Sequence, residues 1–429
     1  MICLITAIVL FAITYAAMLI FPKNRPYIAF GSGIIFIALR ILPAENIIGS
    51  IDFNVILMIA GTMGLVALFT ESKMPSLLAD MLMERVPNVM WAAVALSLFS
   101  GIISAFVDNV ATVLMVAPIA LEICKKLKVN PVPFIIAIAV SSNLQGAATL
   151  VGDTTAIMLG SELDMSFLDF FVYEGKPGVF FAVELGAVIS AFILAFIFRK
   201  GKDPIPKAAE RTKVTDYFPT SLLVVMLVLL IGVSFLPQKP AETNGLICCG
   251  LLVIGLIRSL IIKKSVSAIT EPLSQIDFET IGILLGLFLM IGGLDASGVI
   301  AKAGELLASL GGNNMFLLYT VIVWFSVLIS AFIDNIPYVA TMIPIISGMA
   351  PALGVDPAAL TPLYFGLLSG ATLGGNCTPI GASANITGIG ILRKAGYEVK
   401  NSDFFKIGIP FTIAAIVPAY IYIWLVFGI

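Results

Sequence analysis

The chain has 429 residues, of which 59% are hydrophobic and 12% charged, and its mean hydropathy is +1.08. That is too little charge to cover a water-soluble domain of this size, so lipid must solvate most of the chain. A net charge of −2 offers no basic excess for nucleic acid. The five cysteines form no C-x-x-C pair and read as packing residues, not as a disulfide framework or zinc site. Histidine is absent, so any proton chemistry falls to carboxylates.

In chain order, the run 2–21 lacks a basic leader region and reads as a membrane helix, not a cleaved signal. Runs 27–43, 54–70, 178–198, 217–236, 243–262, 279–294 and 404–428 are also of spanning length, for which about 20 residues suffice. Four stretches break the pattern. Residues 90–124 and 315–350 are apolar but interrupted by an Asp-Asn pair, and 132–160 and 360–394 by glycine, threonine and side-chain amides. Non-helical backbone at membrane depth is tolerated only inside protein or beside a wet cavity, so four such breaks predict a pathway. Segment 162–174 mixes acids with phenylalanines and reads as an interfacial helix or loop. No phosphate loop is present, which excludes an ATP-driven pump within the chain.

The distribution of Lys and Arg orients these spans. Loop 199–213, with Arg199, Lys200, Lys202, Lys207, Arg211 and Lys213, is expected in the cytoplasm. Reading 90–124 and 315–350 as re-entrant hairpins puts Lys23, Arg25, Lys73, Arg85, Lys125, Lys126, Lys128, Lys263, Lys264, Arg393 and Lys394 there too. Counting either hairpin as a full span scatters the basic clusters over both sides. The expected topology has both termini outside the cytoplasm, in a prokaryotic cell membrane.

The halves repeat. Ile51-Asp52-Phe53 recurs as Ile276-Asp277-Phe278, SAFVDNV (104–110) as SAFIDNI (330–336), and ATLVGDTT (148–155) as ATLGGNCT (371–378), all at nearly one offset. The expected architecture is all-α: repeat 1 over 1–213 and repeat 2 over 214–429, each with five spans and one hairpin. The second repeat is inverted relative to the first, with discontinuous helices meeting at the midplane.

Asp108 and Asp334 fall where the hairpins turn, and an intramembrane acid is by default a functional candidate. An Asx-turn alone would account for Asp-Asn, although neutral residues make that turn without the charge. Asn143, Gln145, Thr149, Asp153 and Thr155 line one break; Thr372, Asn376, Thr378, Ser383 and Asn385 line the other. Helix packing of small residues is the alternative reading for the glycines here. Oxygen donors of this kind suit a hard cation, with Asp108, Asn109, Asp334 and Asn335 as sodium candidates. Asp153 is matched by neutral Asn376, leaving three acids and no Lys or Arg within the breaks. Such a site fits exchange of sodium and protons with no further cofactor. A passive channel is the contrasting class.

The stretches SAFVDNVATVLMVAPIA (104–120), GAATLVGDTTAIMLGS (146–161), SAFIDNIPYVATMIP (330–344) and GATLGGNCTPIGASANI (370–386) carry a resemblance that covers nearly the whole chain. They resemble the ion transporter superfamily, particularly its arsenite permease, NhaD-type antiporter and melanosomal P-protein branch. Related divalent anion/sodium symporters have neutral Ser-Asn-Thr motifs at the hairpin tips, and this chain departs from them with Asp-Asn. The resemblance implies a secondary transporter for a small ion, or for a small anionic or metalloid substrate such as arsenite or a carboxylate. It also implies a scaffold and a moving transport domain in a homodimer, working as an elevator in the lipid bilayer.

Overall fold

The computed structural model describes residues 2–205, 211–236, 239–312 and 314–428. Lys207 and the two chain ends, on which parts of the expected topology rest, lie outside the described residues. The helices of the first half are α1 (Ile2–Ile20), α2 (Arg25–Ala38), α3 (Phe53–Glu71), α4 (Met74–Met83), α5 (Val89–Ser104), α6 (Asn109–Leu127), α7 (Val132–Gly146), α8 (Thr154–Glu162) and α9 (Val179–Ile197). Those of the second are α10 (Phe218–Val233), α11 (Thr243–Lys263), α12 (Ser267–Ser274), α13 (Phe278–Ala296), α14 (Val299–Gly311), α15 (Met315–Ser330), α16 (Asn335–Ser347), α17 (Met349–Leu353), α18 (Thr361–Gly374), α19 (Ser383–Lys394) and α20 (Asn401–Phe427).

Among the described residues, seven helices are long and apolar enough to cross a membrane, or eight if one bent pair counts as a single span. Ten spans were expected, and six of them are among the seven. The seventh, Asn335–Leu353, is the second arm of the stretch 315–350 expected to be a re-entrant hairpin, and by length and composition it is a candidate span itself. The missing four have a structural cause. α2 stops at Ala38 before a turn in which Arg40 adopts a positive φ, α10 has 16 residues, and two spans are divided into α7/α8 and α18/α19. Segment 162–174 contains a 3-10 turn, Phe167–Phe170, and its end joins a two-residue antiparallel pair, Val172–Tyr173 with Lys176–Pro177. Among the described residues that pair is the one two-stranded sheet, with an isolated bridge between Asn88 and Pro204. α4, α12 and α14 are short helices that lie between the stretches read as spans or hairpins.

Helix starts are set by side-chain caps that occur in matching pairs. Asp52 accepts from Val55 N and Asp277 from Thr280 N, both at 3.0 Å; Asn88 accepts from Trp91 N at 3.1 Å and Asn314 from Leu317 N at 3.0 Å. Packing partners are matched in the same way. α2 lies on α13 and α3 on α11, while α5 lies on α7 and α15 on α18. In the first two crossings a glycine brings the backbones together. A Cβ on Gly286 would lie 2.2 Å from the carbonyl carbon of Ala29, and one on Gly61 would lie 2.5 Å from that of Cys248. α18 is wholly buried and α7 nearly so, whereas α1 and α11 expose large apolar side chains, as lipid-facing helices do.

One face is strapped by polar contacts around 211–216. Arg211 grips Glu84 through two bonds of 2.6 Å, Thr212 donates twice to Asp80, and Arg258 pairs with Asp216. The Arg258 guanidinium holds the Asp216 carboxyl below its ordinary range. A depressed carboxylate contributes stability above its unfolded value, near pH 4, and loses it as pH falls through its folded value. The Asp216 contribution should therefore be full at neutral pH and vanish on acidification below about pH 4. Comparing acid unfolding of wild type and Arg258→Gln in detergent tests this. For the crossings, Gly286→Ala or Gly61→Ala should destabilise the fold by about 1–3 kcal/mol through overpacking. Gly250→Ala, with open space at its Cβ, should leave the thermal midpoint unchanged.

Candidate functional site

Each Asp-Asn turn separates two helical arms. α5 ends at Ser104 and α6 begins after Asp108, whose Oδ2 accepts from Val110 N (2.9 Å) and Ala111 N (3.1 Å). α15 ends at Ser330, and Asp334 Oδ1 accepts from Ile336 N at 3.2 Å while its Oδ2 accepts the Ser383 hydroxyl at 3.1 Å. Both aspartates are thus helix caps, and the local Asx role exists. It does not account for the whole arrangement, because both carboxylates remain half-buried while Asn109 and Asn335 behind them are buried. The positive ends of α6 and α16 stabilise negative charge here.

The breaks lie directly on these turns. A Cβ on Gly152 would fall 2.5, 2.7 and 2.9 Å from the carbonyl oxygens of Gly146, Ser104 and Ala105. One on Gly381 would fall 2.6, 2.7 and 2.8 Å from those of Gly375, Ser330 and Ala331. Only glycine permits this approach. Thr149 donates its hydroxyl to Ala105 O and Thr378 to Ala331 O, pinning each break to the end of the neighbouring arm. Asn385 donates to Gly375 O and Thr378 O, both at 3.1 Å. Thr149, Thr378 and Asn385 therefore brace the backbone of the breaks.

The remaining candidates form one connected polar chain across the centre. Asn109 Nδ2 donates to Asn143 Oδ1 (3.0 Å), and Asn143 Nδ2 donates to Thr372 O (2.7 Å) and Asn376 Oδ1 (3.1 Å). Asn376 donates to Val140 O at 2.8 Å. The hydroxyls of Thr155 and Thr372 lie 3.0 Å apart, Thr155 donates to Asp153 Oδ2 at 2.9 Å, and Asn335 Nδ2 reaches the same oxygen at 3.4 Å. Residues from both hairpins and both breaks thus come together, with Asp153 buried and Asp108 and Asp334 more accessible. The buried hydroxyls of Ser104 and Ser330, equivalent positions at the ends of α5 and α15, have no hydrogen-bond partner among the described residues. Neither does Asn385 Oδ1. Buried polar atoms left open in pairs beside the breaks leave acceptor capacity for an ion or for water.

Sequence reasoning missed two charges that bear on the site. Arg25, the first residue of α2, and Asp277, the cap of α13, lie within electrostatic reach of Asp334. Neither belongs to a break, so no local motif signals it. Gln145 faces away from the polar chain and bonds Glu184 on α9. Glu184 was detectable as an acid well inside the apolar run 178–198. Among the described residues no cluster of three or more Asp, Glu, Cys or His side chains is arranged to chelate a metal. A cavity of about 440 Å³ opens where α3 begins and α8 ends, lined by Asp52, Glu162, Asp164, Glu242 and Lys239. Burial, with Asp52 and Asp164 nearby, raises the Glu162 carboxyl above its ordinary range.

Residues 8–368 match the family model described as CitMHS, citrate transporter. A 46 kDa membrane protein of Mycobacterium leprae is 32% identical over 98% of each chain, and an uncharacterized transporter of Mycobacterium tuberculosis is 30% identical over 98% of each. The human P protein is 26% identical across 86% of this chain and 53% of its own length. Among solved structures, the Alcanivorax borkumensis YdaH transporter aligns with a TM-score of 0.58 at 14% identity, covering 89% of this chain and 87% of that one. Neisseria gonorrhoeae MtrF aligns at 0.56 with 16% identity, covering 89% and 83%.

Asn143 is the node of the central chain, so Asn143→Ala should leave Asn109 and Asn376 short of a partner and destabilise the protein by about 1–3 kcal/mol. The check is the thermal midpoint of purified protein. An unchanged midpoint would mean that water already substitutes for these bonds.

Proposed function

This chain belongs to the CitMHS citrate transporter family, and we propose that it is a secondary transporter coupled to sodium or protons through the carboxylates of its two hairpins. Its relatives are transporters, and it is a membrane transporter of a small solute, not an enzyme. The observation that carries the coupling proposal is the paired geometry at the centre. Two half-buried aspartates cap two helices, against two glycine breaks, with unpartnered serine hydroxyls at equivalent positions. Carboxylates of this kind bind sodium or a proton in turn, because the two compete for the same oxygens. Asp108 with Asn109 and Asp334 with Asn335 are the proposed ion ligands. Asp153, Asn143, Thr155, Thr372, Asn376 and Ser383 complete the site, braced by Thr149, Thr378 and Asn385.

The proposal includes two inverted repeats, 1–213 and 214–429, that move as an elevator in a homodimer. Matched helix caps and matched packing partners support the repeat, and the Lys and Arg distribution supports the inversion. In the moving unit α5–α9 would travel with α15–α20, against α1, α2, α3, α11 and α13. Few polar contacts join the two groups. One is Tyr15 on α1, whose hydroxyl donates to Pro337 O and lies 2.6 Å from the Thr341 hydroxyl.

A second reading is uptake of a carboxylate driven by the same ions. The family match favours it, and so does Arg25, a cation near Asp334 that the motifs did not contain. Proteoliposomes with an internal pH dye separate the readings. Proton movement on adding sodium or lithium, lost in Asp108→Asn and Asp334→Asn, is the expected result for cation exchange. A response to citrate that also requires sodium or a pH gradient would favour carboxylate co-transport, and a response to arsenite would favour metalloid efflux. Wild-type flux in both variants would overturn the site assignment.

A further inference from the structure

Glu184 is an acid in an apolar helix, and among the described residues it has no ion-pair partner. It lies five residues after the start of α9 at Val179, about 8 Å along the helix at the usual rise. Phe181, Leu185 and Val188 around it are exposed on the apolar surface. Its two carboxylate oxygens receive the same donor, Gln145 Nε2, at 3.0 and 2.9 Å. A carboxylate ion offers about four acceptor sites and needs charge or several donors to stay ionised at such depth.

The neighbouring helices supply neither. α9 packs against α5, α7 and α20, and α5 and α7 contain no charged residue. α20 runs antiparallel, with Ser190 Oγ donating to Phe411 O at 3.1 Å and Tyr422 OH donating to Pro177 O at 3.0 Å. Glu184 therefore lies beside the stretch between those two contacts, which is free of charge; Asp403 and Lys406 lie beyond Phe411. The titratable groups at the near end are Tyr420 and Tyr422, engaged with the Thr320 hydroxyl and Pro177 O. Lys176, the cation closest in sequence, sits 5.8 Å from the centre of the Phe427 ring.

Gln145 is held for this contact. A Cβ on Gly101 would fall 1.5 Å from Gln145 Oε1, so only glycine there leaves room for the amide. That Oε1 is buried without a hydrogen-bond partner among the described residues. An amide pairs with a neutral carboxylic acid through both of its atoms, the nitrogen donating and the oxygen accepting, but with a carboxylate only through nitrogen.

We propose that Glu184 is a proton-binding site separate from the hairpin carboxylates, with Gln145 as the partner that connects it to the break. Proton uptake forms one O–H bond on Glu184 from water, and release returns the proton to water. Gln145 occupies the last turn of α7, one residue from its end and eight residues before Asp153. The protonation state of Glu184 therefore sets whether the amide oxygen of Gln145 joins its nitrogen in facing α9 at the edge of the break. The site stands whether or not the proposed sodium or proton coupling holds, because it is read without any transported solute.

The test is infrared spectroscopy of the full chain in lipid, titrated between about pH 5 and 8. The probe is the carbonyl band of a protonated carboxyl in the difference between wild type and Glu184→Gln. A titrating band present in wild type and lost in Glu184→Gln is expected. In Gln145→Leu the band should persist but move to higher frequency, since its carbonyl loses a hydrogen bond. Identical spectra for wild type and Glu184→Gln would overturn the proposal. So would a band that never titrates, which makes Glu184 a permanently neutral structural acid. A band unmoved in Gln145→Leu would overturn the pairing.

Discussion

Backbone in lipid has no water to bond, and each unsatisfied peptide group costs several kcal/mol. That constraint governs where this chain interrupts its helices. The four breaks expose carbonyl and amide groups that regular helices would bond internally. Here glycine lets each break press onto the end of a hairpin arm, and a threonine hydroxyl bonds the arm's terminal carbonyl. The aspartate caps cover the amides that the next helix leaves open. The same residues that look like candidate ligands in the sequence are thus first of all what makes irregular backbone tolerable at this depth. Binding capacity is what remains after that demand is met: the accessible carboxylate oxygens, the serine hydroxyls and the open amide oxygen.

The second consequence concerns symmetry. The two hairpins and two breaks are built alike, down to equivalent serines and equivalent glycine contacts. The polar chain that links them is not alike in its halves. Asp153 occupies the position of Asn376, so Asn335 meets a carboxylate while Asn109 meets the amide oxygen of Asn143, which in turn bonds Asn376. An amide offers both donor and acceptor and closes its bonds with neutral neighbours, whereas a carboxylate only accepts. The buried carboxyl group therefore belongs to one break alone.

How much of this was legible depended on whether the signal was local. The Asp-Asn turns, the glycine-threonine blocks and their recurrence were visible because each is a contiguous stretch with a counterpart. The structure divides 90–124 into α5 and α6 around Asp108, and 132–160 into α7 and α8, within a few residues of the interruptions read from sequence. What could not be read was the division of labour among polar residues of one block. Thr149 and Thr155 look equivalent in the string ATLVGDTT, yet one braces Ala105 O and the other meets Asp153 and Thr372. That depends on the path of the unwound backbone, which no periodicity encodes. Span counting fell short for a related reason, since a helix that stops early or splits at midplane leaves the same apolar run in the sequence as one that crosses.

Arg25 shows the further limit of reasoning by motif. The acids of the breaks looked uncompensated because no Lys or Arg lies in those stretches. The first residue of α2 nevertheless brings a guanidinium, with its Nε donating to Met18 O at 3.1 Å, into range of Asp334. Asp277 acts on both Asp334 and Asp108 from the opposite sign. Arg25 thus acts on the Asp334 tip, and Asp277 on both tips. Both influences come from elements outside the hairpins and breaks. If those elements stay still while the hairpins move, the electrostatic environment of the two carboxylates changes with position. A site that gains or loses a neighbouring charge along its path changes its affinity for cations along that path, which is the physical requirement for any device that binds an ion on one side and releases it on the other.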